Sequence, residues 1–395
     1  MRKFLLLFLL TGTASAAEWS QFRGPGGACV SDEKNLPEKW SKTEGHRWKT
    51  DLPARGVSGP VVFGDKIYLT ASSGVRDDRL HVLAFDLKTG KQLWHRQFAA
   101  TGGTNCHPMT CMAAPTPVAD ETGVYALFAT GDLAAFDANG TLRWYRSLVG
   151  DYPSITNQVG MASSPVLADG KLIVPMDNSG DSFIAALDPK TGTNVWKTPR
   201  FKESNWVTPV VRSPDGRTAE ILFPGRDGLS AYDAATGKRL WNSKLVNGDI
   251  PTPTIREDIV YAPSGGVTTL KFEGGEPKKV WASAKMGSGM TSPLVYDGMV
   301  YAAKDGVMNT VDAKTGESLW SERFSKDKAS ASPIGADGKV YVFSNGGKTT
   351  VFKASREMEI VSENDLGEEI LGTPAVAAGA IIIRTNKALY CVGAK

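Results

Sequence analysis

Short apolar runs recur along the chain in pairs, each pair hinged on an Asp-Gly-like turn: SPVLADGKLIV from Ser164, SPLVYDGMVYA from Ser292 and SPIGADGKVYV from Ser332. Apolar stretches of this length separated by a tight turn predict two antiparallel strands. The pairs open on a Ser-Pro or Thr-Pro-like step, and eight such prolines line up at Pro60, Pro117, Pro165, Pro209, Pro253, Pro293, Pro333 and Pro374, 40 to 57 residues apart. The copies from Pro209 onward are 40–44 residues apart, and the longer early ones contain insertions. A second block follows in most copies: AFDLKTGKQLW (Ala84 to Trp94), ALDPKTGTNVW (Ala186 to Trp196), AYDAATGKRLW (Ala231 to Trp241) and TVDAKTGESLW (Thr310 to Trp320). Its Asp and Thr-Gly supply side-chain acceptors and a positive-φ position for a hairpin, while its flanks alternate apolar and polar with the period of a strand. Each unit therefore holds four strands.

A lone twisted four-stranded sheet leaves both faces apolar until neighbours cover them, so units of this length in series predict an all-β, eight-bladed β-propeller of four-stranded antiparallel blades. The eighth unit, GTPAVAAGAIIIRTNKALYCVGAK, ends after three strands, and the missing fourth is at the other end of the chain: HRWKTDLP, His46 to Pro53, contains a Trp-bearing strand with no unit before it. Pairing that strand into the last blade would close the circle and remove the exposed sheet edges. Trp48 then joins Trp94, Trp144, Trp196, Trp241, Trp281 and Trp320 as a repeated wedge between blades. Each indole can bury roughly 150–250 Å², about 4–6 kcal/mol of gross apolar transfer. Unit seven carries Ile360 where Trp is expected, and unit five replaces the Thr-Gly turn by EGGEPKKVW.

The start of the chain has a different character. Arg2 and Lys3, an apolar run from Phe4 to Leu10 and the Ala14-Ser15-Ala16 site read as a secretory signal peptide, residues 1–16, followed by an arm, 17–45, and the propeller, 46–395. A periplasmic or secreted protein without a transmembrane segment or lipid-accepting cysteine is expected, acting as a monomer. Removing Arg2 and Lys3 from the 45 basic residues leaves 43 against 42 acidic ones, scattered in sign, which points away from nucleic acid as a partner. Export also makes disulfides possible for Cys29, Cys106, Cys111 and Cys391.

The pattern A-x-D-x-x-T-G-x-x-x-W at Ala84, Ala186 and Ala231 resembles the repeat of PQQ-like eight-bladed propellers, a group that includes quinoprotein alcohol dehydrogenases and the BamB outer-membrane assembly lipoprotein. The resemblance extends over about residues 46 to 393. It implies one of two functions: a non-catalytic envelope scaffold offering its loop face to a protein or small ligand, or a PQQ-dependent oxidoreductase holding PQQ and calcium in the axial funnel with an Asp as base. The adjacent Cys-Cys pair of the dehydrogenases is absent here, and no calcium ligand or base can be placed residue by residue. The scaffold reading is preferred.

If the first strand of each blade is innermost, the loops entering it and those joining strands two and three share one face. Asn157, Gln158, Asn205, Trp206, Arg226, Asp227, Lys304 and Asp305 are the polar and aromatic tips expected there as a ligand-binding face. The longest entering loop carries CHPMTCM. Cys106 and Cys111, five apart around Pro108, read first as a structural disulfide. The alternative is a soft-metal site for copper built from Cys106, His107, Met109, Cys111 and Met112. A second bridge, Cys29 to Cys391, would tie the arm to the closing blade. The four histidines fall in no catalytic motif, and His46 and His95 read as surface or blade-packing residues. The acid pairs Asp77-Asp78 and Glu368-Glu369 read as solvated loops.

Overall fold

Eight sheets are arranged in a ring. The computed structural model describes residues 18–103, 105–156, 160–214, 216, 218–245, 250–273, 276–287 and 289–394. Blades 1 to 7 span residues 61–99, 118–147, 166–199, 210–242, 254–283, 294–323 and 334–365, each a four-stranded antiparallel meander in chain order. Blade 8 takes three strands from 375–392 and its outer strand from His46–Asp51, which pairs antiparallel with Ala388–Val392 and aligns Trp48 with Cys391. The N-terminal closure expected from the sequence is therefore formed. First strands of neighbouring blades touch one another around the axis, and blade 1 meets blade 8 there.

The Asp-Gly turns are built as their chemistry requires. Asp169, Asp297 and Asp337 have φ near 50°, and each is followed by a glycine also at positive φ, the pairing that a tight hairpin with right-handed twist demands. The three inner strands of each blade are almost wholly buried because both faces are covered, which explains unbroken apolar runs such as Phe183–Leu187.

The fourth-strand tryptophans dock on the next blade. The indole Nε1 of Trp94 donates to Ala138 O at 3.1 Å, Trp144 to Pro189 O at 2.9 Å, Trp196 to Ala234 O at 3.0 Å, Trp281 to Ala313 O at 3.1 Å and Trp320 to Ser355 O at 3.1 Å. Trp48 does the same from blade 8 to Leu87 O of blade 1 at 3.1 Å. Where the neighbour's turn carries a glycine, as it does for Trp48, Trp94, Trp144, Trp196 and Trp281, the indole rests against it: a Cβ at Gly237 would sit 2.5 Å from the Trp196 ring, and one at Gly90 would sit 2.4 Å from Trp48. The two halves of the repeat, Thr-Gly and Trp, are thus the two sides of one joint. Trp241 and Trp320 face the two blades whose turns depart from the motif, and pack against Phe272 and Phe352 with ring centroids 5.7 and 5.4 Å apart.

The arm is an integral part of the ring. Trp19 bridges to Val62 in blade 1, Ser20 O accepts from Ala119 N in blade 2, and Val30–Ser31 adds a parallel fifth strand to blade 7. Further on, Trp40 N donates to Asn364 Oδ1 at 2.7 Å on the outer strand of blade 7. Trp19, Leu36 and Trp40 are buried in one core shared with blades 6, 7, 8 and 1. None of the described helices is long and apolar enough to cross a membrane.

Candidate functional site

The Ser/Thr-Pro steps form a belt around the axis. The backbone N–H at each position donates to the hydroxyl of the next: Gly59 to Thr116 (3.0 Å), Thr116 to Ser164 (3.0 Å), Ser164 to Thr208 (3.0 Å), Thr208 to Thr252 (3.1 Å), Thr252 to Ser292 (2.9 Å), Ser292 to Ser332 (3.1 Å) and Ser332 to Thr373 (3.0 Å). The belt breaks only at Gly59, where a side chain would meet Thr373 O at 2.5 Å. It surrounds an axial channel of about 140 Å³. Two residues before each belt position a second ring forms the mouth: Val57, Ala114, Ala162, Trp206, Ile250, Met290, Ser330 and Leu371. Phe22 of the arm enters the lining from the other end. Beside it Arg23, 1 % exposed, donates to Pro253 O, Thr254 Oγ1 and Pro293 O at 3.2, 2.6 and 2.8 Å. Arm and belt therefore make a cup open toward the entering loops.

Those loops are pinned by buried carboxylates. Asp177 accepts from Arg200 Nε and Nη2 at 2.7 and 2.9 Å, from Asn205 Nδ2 at 3.0 Å and from Ser182 Oγ at 3.2 Å. Burial by itself would lower the Arg200 pKa, but the Asp177 charge outweighs it and raises it. Asp132 accepts from the Thr101 amide, from the hydroxyls of Thr101 and Thr130, and from Tyr145. Glu368, which the sequence suggested was solvated, is buried and takes Lys49 Nζ, Thr385 Oγ1 and Tyr390 Oη at 3.2, 2.6 and 3.1 Å. Burial pushes its pKa up, and these donors more than offset that push.

The sequence-predicted tips divide accordingly. Asn205 belongs to the Asp177 pin, and Trp206 lines the mouth with Nε1 donating to Gly160 O at 2.7 Å. Arg226 pairs with Glu203 at 2.9 Å and Asp227 lies 3.7 Å from Arg239. Lys304 and Asp305 are exposed, and the Lys304 stem runs beside Gly287 and Gly289 of the entering loop. Asn157 and Gln158 lie outside the described residues, as does the signal segment. The belt and the mouth ring went unnoticed in the sequence although their signal is plain: a hydroxyl before proline, and the residue two before it, recur in register.

The cysteines are corrected by the structure. All four are free thiols, so neither the Cys106–Cys111 nor the Cys29–Cys391 bridge is formed. Cys29 sits wholly buried beside Arg23, while Cys391 is fixed in the last strand of blade 8. Cys106 Sγ lies 3.6 Å from Met112 Sδ, and His107 Nδ1 turns back to accept from Met109 N at 3.2 Å. Burial pushes the Cys106 pKa up to about 11, which favours thiol over the thiolate a soft metal prefers. Among the described residues no three His, Cys, Asp or Glu side chains are grouped to hold a metal. Arg55 Nη2 donates to Pro108 O at 2.8 Å and anchors the loop to blade 1.

A family model described as outer membrane protein assembly factor BamB matches residues 29–180 and 180–394. The chain belongs to that family. Curated relatives of this BamB-family chain include a polyvinylalcohol dehydrogenase of Sphingopyxis sp. strain 113P3, 25% identical over 245 residues, covering 51% of this chain and 36% of the relative. The assembly factor BamB of Moranella endobia is 24% identical over 217 residues, covering 53% and 49%. The chain thus spans between about a third and a half of the curated relatives it matches. The crystal structure of BamB from Moraxella catarrhalis shares the fold, with a TM-score of 0.65 at 20% identity over 89% of this chain and 97% of that one.

Because this family and the quinoprotein dehydrogenases share a blade, the fit of calcium and PQQ can be judged on the donors present. Calcium takes six to eight oxygen ligands, with carboxylates prominent. Among the described residues, the channel lining holds hydroxyls and apolar side chains and no carboxylate, and Asp132, Asp177 and Glu368 are already occupied by protein donors. The residues described do not fit the pair.

One grouping in this BamB-family propeller could not be read from spacing. His81 Nδ1 and His95 Nε2 are 2.7 Å apart on neighbouring strands of blade 1, and His81 Nε2 is 2.8 Å from Ser73 Oγ. Burial, then the neighbouring His95, pushes the His81 pKa from 6.5 down to about 4. A histidine kept neutral in the fold but free to protonate when unfolded stabilises fully above pH 6.5, and that contribution fades as pH falls through 4. Urea unfolding between those limits should show a loss of about 2–3 kcal/mol in the wild type that His81→Gln removes. Equal pH slopes in the two proteins would contradict the assignment.

Proposed function

We propose that this chain is a non-catalytic binding propeller of the cell envelope whose entering-loop face docks a protein of the outer-membrane assembly machinery. The observation that carries the reading is the use of buried carboxylates: Asp132, Asp177 and Glu368 fasten the loops from within, leaving none of the three for metal ligation. Loops held this way form a face set before binding, which reduces the ordering cost of association. The names of the BamB relatives support a protein partner, and the sequence's apolar leader supports export.

The test has two arms. The mature chain is titrated against purified outer-membrane assembly components, alongside Lys304→Glu and Asp305→Lys on the exposed rim. It is then loaded with PQQ and calcium and assayed for dye reduction with alcohols and polyvinyl alcohol. Saturable binding to an assembly component, weakened about tenfold by the rim charge reversals, is the expected result. PQQ- and calcium-dependent turnover would replace this reading with the oxidoreductase one.

A further inference from the structure

We infer that the axial channel is a binding site for a small inorganic anion, held by the hydroxyl belt above the buried Arg23. Thr116, Ser164, Thr208, Thr252, Ser292, Ser332 and Thr373 are all buried, and each uses an oxygen lone pair to accept the amide of the preceding belt residue. A hydroxyl has one proton to donate as well. None of these seven protons has an acceptor among the described residues, and all seven residues line the same channel.

Water answers such a ring only in numbers. One water molecule accepts about two hydrogen bonds, so seven donors on one channel call for several waters, whose own protons can go only to the second lone pair that each hydroxyl keeps. A halide or small oxyanion accepts several donors at once and has fewer or no protons to place. The channel volume of about 140 Å³ is a few times the ~30 Å³ share of one water, room for such an ion with some solvent.

Charge points the same way. The Arg23 guanidinium is bonded to carbonyls and one hydroxyl at the channel's closed end, and no carboxylate contacts it among the described residues. Its Nε has no hydrogen-bond partner. Burial lowers its pKa, with partial relief from Cys29 beside it. A buried cation without a counter-ion is costly, and an anion in the neighbouring low-dielectric channel offsets that cost. The mouth ring is apolar apart from Ser330 and the Trp206 N–H, and that N–H is already taken by Gly160 O, so the polar floor lies below a dry collar.

Bromide is the probe. Crystals of the full mature chain soaked in sodium bromide should show an anomalous peak on the axis within hydrogen-bond distance of the belt. In solution the thermal midpoint should rise by a few degrees in bromide relative to gluconate at matched ionic strength, because gluconate is too bulky for the channel. Thr116→Val, which keeps the shape and removes one donor, should weaken bromide binding about tenfold or more, and Arg23→Met should abolish it. Should Arg23→Met fail to fold, the Thr116→Val and Ser332→Ala series carries the test alone. Water on the axis with bromide confined to the outer surface, or bromide affinity unchanged across the hydroxyl variants, would overturn the inference. The rim substitutions that test partner docking leave the belt untouched, so the two proposals fail separately.

Discussion

Trp94→Ala is expected to destabilise the propeller by about 3–5 kcal/mol. Trp94 is the most buried of the repeated wedges at 7 % exposure. Its ring lies 6.0 Å from both Tyr68 of its own blade and Phe136 of the next, rests against Gly140, and fixes its orientation through the bond to Ala138 O. Truncation removes that apolar contact, leaves a cavity between two blades and frees the carbonyl. Nothing nearby can close the gap, because Gly140 has no side chain to extend and the turn backbone is held by Asp137. Leu93→Ala is the control. Leu93 is exposed at 44 %, and its truncation should change stability by less than about 0.5 kcal/mol. Denaturant unfolding of the two variants decides the matter, and similar midpoints for both would show that Trp94 does not hold the blades together.

Deleting residues 18–53 should leave a chain that does not accumulate as a folded monomer. The deletion takes away the outer strand of blade 8, the Trp48 joint to blade 1, the parallel strand on blade 7 and the plug formed by Phe22 and Arg23. It also removes Trp19, Leu36 and Trp40 from the core that unites blades 6, 7, 8 and 1. At about 4–6 kcal/mol of gross apolar transfer per buried indole, the two tryptophans alone approach the about 5–15 kcal/mol that separates a typical fold from its unfolded state. Circular dichroism and size-exclusion chromatography provide the measurement. A deletion variant with the parent's melting temperature would show that the ring closes without its beginning.

Much of the candidate site was legible in outline and misread in detail. Register was the reason. The hydroxyl before proline was visible as punctuation for a strand, but that each of seven accepts the backbone N–H of the preceding belt residue around an axis requires the blades to be placed. Glu368 looked solvated because two adjacent acids in a loop usually are, yet the closing strand brings Lys49 to it from 319 residues away. Cys29 and Cys391 are both near chain ends that the ring brings together, but Cys29 is turned toward Arg23 and Cys391 is locked into a blade.

From the sequence by itself came the blade count, the four-stranded unit, the Asp-Gly turns and the closure by His46–Asp51. These depend on local propensity and a repeated apolar pattern, which each unit states independently of its neighbours. Only the tertiary structure decided the channel, its plug, the pinned loops and the histidine pair. Those arise where side chains from units far apart in the chain converge on one axis or one interface, and a pattern repeated along a line does not specify which members of it meet in a circle.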